Sequence, residues 1–166
     1  MKTILTALLT SALSLAAAQT TPAPIKLATT ATVSTASLSL SAASRIAMLA
    51  VNNCAQLGYN VSATVVDRSG VTLAVARSEN AGPHTLGASQ GKAFTSASAR
   101  NLTGNIAKGL ETNPGLADIP GYLVLAGGAP INVGGAVVGA VGVGGAPSGL
   151  VDEKCGTDAV ATVLSK

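Results

Sequence analysis

Two β-branched runs, Val61 to Val66 and Val71 to Ala76, stand on either side of Asp67-Arg68-Ser69-Gly70. A connection that short, rich in turn formers, cannot carry a parallel crossover, which takes about a dozen residues or more. The two runs therefore read as an antiparallel hairpin. Gly134-Gly135 offers a second tight turn between Ala129 to Val133 and Ala136 to Val143, and Tyr122 to Ala126 is a further strand-like run. Around these the period becomes helical. Ser41 is an N-cap candidate for a helix on which Ile46, Leu49, Ala50, Cys54 and Leu57 recur at three- and four-residue steps, ending at Gly58. Gly82-Pro83 opens a second helix, with proline where its missing N–H costs nothing, and Leu86, Ala93, Phe94 and Ala97 form its apolar face. A shorter helix is expected over Thr103 to Leu110, and Asn113-Pro114 and Ile119-Pro120-Gly121 mark a loop. From Pro147 a last helix carries Val151, Cys155, Ala159 and Val163 at four-residue steps. The order α-β-β-α-(α)-β-β-β-α predicts an α+β sandwich, an antiparallel sheet flanked by helices.

The residues ahead of this pattern read as an export signal. Lys2 gives a positive start, Ile4 to Leu15 is apolar apart from Thr and Ser, and Ala16-Ala17-Ala18 has the small-x-small form that places cleavage before Gln19. About a dozen apolar residues is too few to cross a bilayer, which takes roughly 20. The later apolar run near Val137 is broken by Gly139, Gly142 and Gly144, so no membrane span is expected. Residues 19–37, QTTPAPIKLATTATVSTAS, have no period and little apolar bulk, and are expected to be a disordered tether. The folded domain is then 38–166, in a periplasmic or secreted protein.

Composition narrows what such a domain does. Charged residues are 10% of the chain, where soluble domains carry about 25%. A surface so poor in charge is expected to be partly covered by other subunits, in a homo-oligomer. The four arginines are scattered and form no basic cluster, which argues against nucleic acid.

The chemical inventory is short. His84 is the one histidine, so neither a Ser-His-Asp triad nor a multi-histidine metal site is expected within one chain, the triad's G-x-S-x-G elbow being absent as well. Gly87 to Ala93 resembles a phosphate loop but has short glycine spacing and Ala93 where Ser or Thr would hold magnesium. Glycines 139, 142, 144 and 145 miss the dinucleotide pattern at Pro147 and read as close backbone packing. Asp67, Glu79 and His84 are the loop groups from which an acid/base pair could come. Cys54 and Cys155 fall on matching faces of the first and last helices. In an exported chain they are expected to pair, the alternative being two buried thiols.

Several short pieces recur in a fixed order. They are Val65 to Gly70, Ala81-Gly82-Pro83-His84-Thr85 running into Gly91-Lys92-Ala93-Phe94-Thr95, and Ile119-Pro120-Gly121. Gly127 to Ile131, Gly139 to Pro147 and Asp152-Glu153-Lys154-Cys155 complete the set. In these, Leu38 to Leu164 resembles the GlcG/HbpS-like haem-binding family. The resemblance implies a profilin-like fold, assembly into compact oligomers, often octamers, and haem as the cofactor.

Measured against haem, His84 is the candidate iron ligand, an imidazole at a helix start after Gly82-Pro83. Lys92 follows eight residues later on roughly the same helical face, a candidate cation for a propionate, with Arg77 and Arg100 as further candidates. Tyr59 and Tyr122 are alternative ligands. With no Trp, one Phe and two Tyr, a shallow or interfacial haem site is expected rather than a deep aromatic pocket. Three classes follow: an exported haem-binding protein that sequesters haem or senses it, an enzyme acting on haem or a small metabolite, and a ligand-free module for an exported sensor.

Overall fold

The computed structural model describes residues 23–165. The expected signal over 1–18 and the first residues of the tether lie outside the described residues. Residues 23–37 form no helix or strand, and each is exposed. The folded unit is anchored at Leu38, whose N–H donates to the Val138 carbonyl at 3.1 Å.

Helix α1, Leu40–Gln56, starts two residues before the Ser41 expectation would have it, because the capping side chain is that of Ser39, which accepts from the Ala42 N–H at 3.2 Å. It ends as expected, with Gly58 in the left-handed region at φ 85°. Strands β1, Ser62–Asp67, and β2, Thr72–Arg77, form the expected hairpin. Asp67 organises the turn, its Oδ1 accepting from the N–H groups of Ser69 at 2.7 Å and Val71 at 3.0 Å. Helices α2, His84–Ala99, and α3, Thr103–Gly109, follow, then a short 3-10 turn, Pro114–Asp118. Strands β3, Gly128–Val133, and β4, Ala136–Gly144, are joined through Gly134 and Gly135, both at positive φ as a two-residue hairpin requires. Helix α4, Gly149–Leu164, closes the chain.

The four strands form one antiparallel sheet in the order β2-β1-β4-β3. Helices α1 and α4 pack on one face and α2 on the other, so the central strands are buried on both sides. This is the α+β sandwich expected.

Two expectations are corrected. Tyr122 to Ala126 is not a strand. The Leu123 N–H donates to Thr95 Oγ1 at 2.8 Å and the Leu125 N–H to the Leu123 carbonyl at 2.9 Å, so this segment bonds to α2 and to itself instead of a ladder. The buried face of α2 is only in part the apolar one expected. Leu86 is 42% exposed, while Thr85, Ser89, Lys92, Thr95 and Ser96 are buried with Ala93 and Ala97. Those hydroxyls pair across the interface, Ser62 Oγ with Thr85 Oγ1 and Thr64 Oγ1 with Ser89 Oγ, each at 2.7 Å. Gly142 brings the backbones together, since a Cβ there would stand 2.4 Å from the Ala93 nitrogen.

The opposite face is an apolar core of Ile46, Val61, Val65, Ile131, Val141 and Val143. Cys54 and Cys155 are disulfide-bonded within it, with Cα atoms 5.6 Å apart, tying α1 to α4. No helix among the described residues is long and apolar enough to cross a membrane.

Candidate functional site

The N-termini of α2 and α4 meet at an open cleft of about 370 Å³. From α2 it takes His84, Ala88 and Lys92, and its far side is built by Leu125, the Gly144-Gly145-Ala146 turn, Leu150 and Asp152.

His84 is the first residue of α2 and is exposed. Its ring lies back over Gly82, where a Cβ would fall 2.7 Å from Cε1, so the absent side chain of Gly82 leaves the imidazole its place. Leu125 and Leu150 face solvent at 55% and 62% exposure, which leaves two apolar walls uncovered beside the imidazole. Neither helix is capped by a side-chain hydrogen bond at its N-cap, Pro83 for α2 and Ser148 for α4. Both helix N-termini therefore border one opening, that of α4 with the Asp152 carboxylate in its first turn.

Lys92 does not stand where a surface cation was expected. It is 5% exposed, and its Nζ donates to Asp152 Oδ2 at 2.9 Å and to the Val143 carbonyl at 2.9 Å. Asp152 Oδ1 in turn accepts from the Ala146 N–H at 3.0 Å. The lysine charge is neutralised inside the protein, where an unpaired one would be costly. The pair forms the cleft floor and ties α2 to the turn leading into α4.

The other expected residues are spread over the domain. Arg77 donates to the carbonyls of Glu79 and Ala81, bracing the loop that leads to His84 without lining the cleft. Arg100 lies past the other end of α2, about 24 Å along the helix at 1.5 Å per residue. It adopts φ 53° and borders a separate cleft of about 350 Å³ with Leu102, Pro130 and Val160. Tyr59 is half-buried against the apolar core, and Tyr122 is half-buried with its ring edge-on to Phe94, centroids 6.4 Å apart. Asp67 does not converge with His84. Ser62 is at the α2 N-terminus through Thr85, whereas Asp67 lies five residues further along β1, roughly 16 Å away at the strand rise. Sequence reasoning missed Asp152, Leu125 and Leu150. An acidic residue in the first turn of the last helix was the one available signal, since that position favours negative charge.

A helix-flanked antiparallel sheet with its lone imidazole at the rim of an open cleft defines a small α+β domain. The family described as "Haem degrading protein HbpS-like" matches residues 38–161, and the chain belongs to it. This makes it a haem-related protein. A double mutant of HbpS from Streptomyces reticuli superposes with a TM-score of 0.78 at 40% identity, over 86% of this chain and 97% of that one. A second HbpS structure gives 0.78 at 41% identity, over 84% of this chain and 99% of the other. A PduOC:haem complex shares the fold at 20% identity and a TM-score of 0.68, over 75% of this chain and 94% of its own. Among curated proteins, none matches the sequence.

Proposed function

We propose that this chain is an exported haem-binding protein that holds haem in the cleft between the α2 and α4 N-termini, with His84 as the iron ligand. The observation that carries the reading is the position of the single imidazole, exposed at the rim of a cleft whose nearest walls are apolar. Each part of haem has a counterpart there. The imidazole offers a neutral nitrogen to iron. Leu125 and Leu150 offer contact to the porphyrin face, and the two helix N-termini offer a positive field to its propionates. Lys92 serves the site as its floor, its ammonium group being held by Asp152.

Export is supported by the buried Cys54–Cys155 disulfide, which suits an oxidising compartment. Assembly into a homo-oligomer is supported by the low charge and by apolar side chains left exposed on the folded unit, among them Val71, Val75, Leu86, Leu125 and Leu150. Haem turnover is the second reading, favoured by the description of the family as haem degrading.

The test is haem titration of the purified chain, followed by its Soret band. The expected result is a saturable Soret shift that His84→Ala alters in position and weakens in affinity. An unchanged spectrum and affinity in that variant would move the ligand elsewhere, to Tyr59 or Tyr122 first. Loss of the Soret band on adding a reductant in oxygen would mark turnover, and its persistence would mark sequestration or sensing.

A further inference from the structure

Among the described residues, every backbone position at positive φ is a glycine except one, Arg100 at φ 53° and ψ 36°. It follows the last residue of α2, where helices commonly end on a left-handed glycine because a Cβ there is strained. The chain has 19 glycines and places one at each other such position, so a long cationic side chain at this one needs a reason. The turn itself supplies none. Ser96 Oγ donates to the Asn101 carbonyl at 2.8 Å and Asn101 Oδ1 accepts from the Leu102 N–H at 2.8 Å, and glycine at 100 would keep both bonds. The ion pairs among the described residues are Lys92–Asp152 and Lys154–Asp158, so the exposed Arg100 guanidinium faces no carboxylate. What it borders is the cleft of about 350 Å³ where the link from α2 to α3 meets β3 and α4. Leu102, Ala129, Pro130 and Val160 give that cleft apolar walls, and Asn132 adds an amide from β3. Among the described residues no acidic one lines it.

We propose that this cleft binds a small carboxylate with a short apolar body, the Arg100 guanidinium holding the carboxylate and the walls holding the body. Each feature narrows the ligand. A guanidinium with no acidic neighbour selects an anion, and its planar fork matches the two oxygens of a carboxylate. Apolar walls select against a bare inorganic anion or a polyol, which would lose hydration there with little to replace it. The volume lies near the lower end of small-ligand clefts, about 300–1,000 Å³, and so suits a ligand of few atoms. A residue kept in a strained conformation is then explained by the group it carries to the rim. The site lies about 24 Å along α2 from His84 at 1.5 Å per residue, and it does not rest on the haem reading.

Hexanoate and benzoate are the probes, with benzyl alcohol as the neutral match, each titrated into the full chain and followed by amide NMR shifts. Either acid should move the amides of Arg100, Ala129 and Val160 and saturate, while the alcohol should bind at least about tenfold more weakly. Arg100→Gly should melt at or above the parent temperature, since it relieves the left-handed residue, and should lose at least about tenfold in affinity for the acid. Arg100→Lys keeps the charge and the strain without the fork, and should fall between the two in affinity. A saturating acid should leave haem titration unchanged. The absence of a saturating shift at those amides up to about 10 mM of either acid overturns the proposal, since even a ligand of few atoms should fill a matched site below that. Parent-like affinity in Arg100→Gly, or equal binding of the alcohol, would reduce the cleft to an apolar patch and overturn it as well. Displacement of haem by the acid would merge this cleft with the haem site and overturn its separateness, whereas failure of haem binding alone leaves it standing.

Discussion

The two faces of the sheet bury comparable structure by opposite chemistry. Toward α1 and α4 the contact is made by Ile46, Val61, Val65, Ile131, Val141 and Val143, stapled by the disulfide. Toward α2 the apolar cluster is only Val66, Ala93, Ala97 and Ala140, and the rest is hydroxyl pairs, glycine and a buried ion pair. The first face gains stability from apolar area removed from water. The second has little area to remove, and depends instead on close backbone approach with every buried side-chain polar atom partnered, none being left over among the described residues. The cleft opens at the end of the sheet where the α2 N-terminus meets that of α4, and its floor is the ion pair that secures α2. The polar contacts that set the spacing of α2 also place His84 and the cleft floor, so that face holds geometry where the other holds stability.

The largest expected effect tests the apolar face. Replacing Cys54 and Cys155 together by Ala frees a loop spanning a sequence separation of 101 residues, and a loop of that length is worth about 4–5 kcal/mol in the chain-entropy model. Urea melts should show that loss, with secondary structure retained below the transition. A loss under about 1 kcal/mol would mean that packing alone secures α1 against α4, and would weaken the contrast.

Next comes the ion pair on the other face. Lys92→Met leaves the Asp152 carboxylate buried with only the Ala146 N–H, and should cost about 3–4 kcal/mol, since a stranded buried charge is expensive. Adding Asp152→Leu should recover most of the loss, because a well-packed apolar pair often replaces a buried salt bridge without penalty. Equal melting curves for the single and double variants would show that the charge itself is not what matters there.

A smaller effect is expected at the hydroxyl pairs. Thr64→Val removes the partner of Ser89 Oγ, which still reaches the Leu86 carbonyl at 2.9 Å, so the cost should be about 1 kcal/mol. Thr64→Val with Ser89→Ala should cost less than the sum of the two single changes, because the pair is lost only once. Additive melts would say that the two hydroxyls act independently.

The same contrast governs what the sequence revealed. The apolar face was legible because β-branched runs and helical spacing are themselves the pattern of burial, and both hairpins and the Cys54–Cys155 pairing followed from it. The α2 face was not legible. Its buried side is Thr, Ser, Lys and Ala, so hydropathy found Ala93 and Ala97 but took Leu86, which points outward, and passed over the buried Thr85, Ser89, Lys92, Thr95 and Ser96. Lys92 was misplaced for the same reason: its partner Asp152 lies 60 residues away, a distance that no local pattern spans. The expected strand over Tyr122 to Ala126 failed because Thr95 supplies from α2 the bond that a ladder would have supplied. His84 stood out by being the lone imidazole, yet the leucines that wall its cleft come from the loop before β3 and the first turn of α4 and carried no signal of their own.

The smallest expected effect on stability falls on the residue that seats His84. Gly82 is not at positive φ, so alanine fits its backbone, and fewer unfolded conformations should stabilise the chain slightly. Against this, the new Cβ would stand 2.7 Å from Cε1 and 2.9 Å from Nδ1 of His84, atoms at the end of an exposed side chain that can swing aside. The melting curve of Gly82→Ala should therefore stay within about 0.5 kcal/mol of the parent. Haem binding should respond far more, because an imidazole turned off its present line presents its nitrogen to iron at a different angle. Weaker Soret titration with an unchanged melt would separate the placing of the ligand from the holding of the fold, as the two-face comparison requires. Identical haem spectra and affinity in Gly82→Ala and the parent would show that the seating of the His84 ring is irrelevant to the iron, and would take the cleft rim out of the haem site.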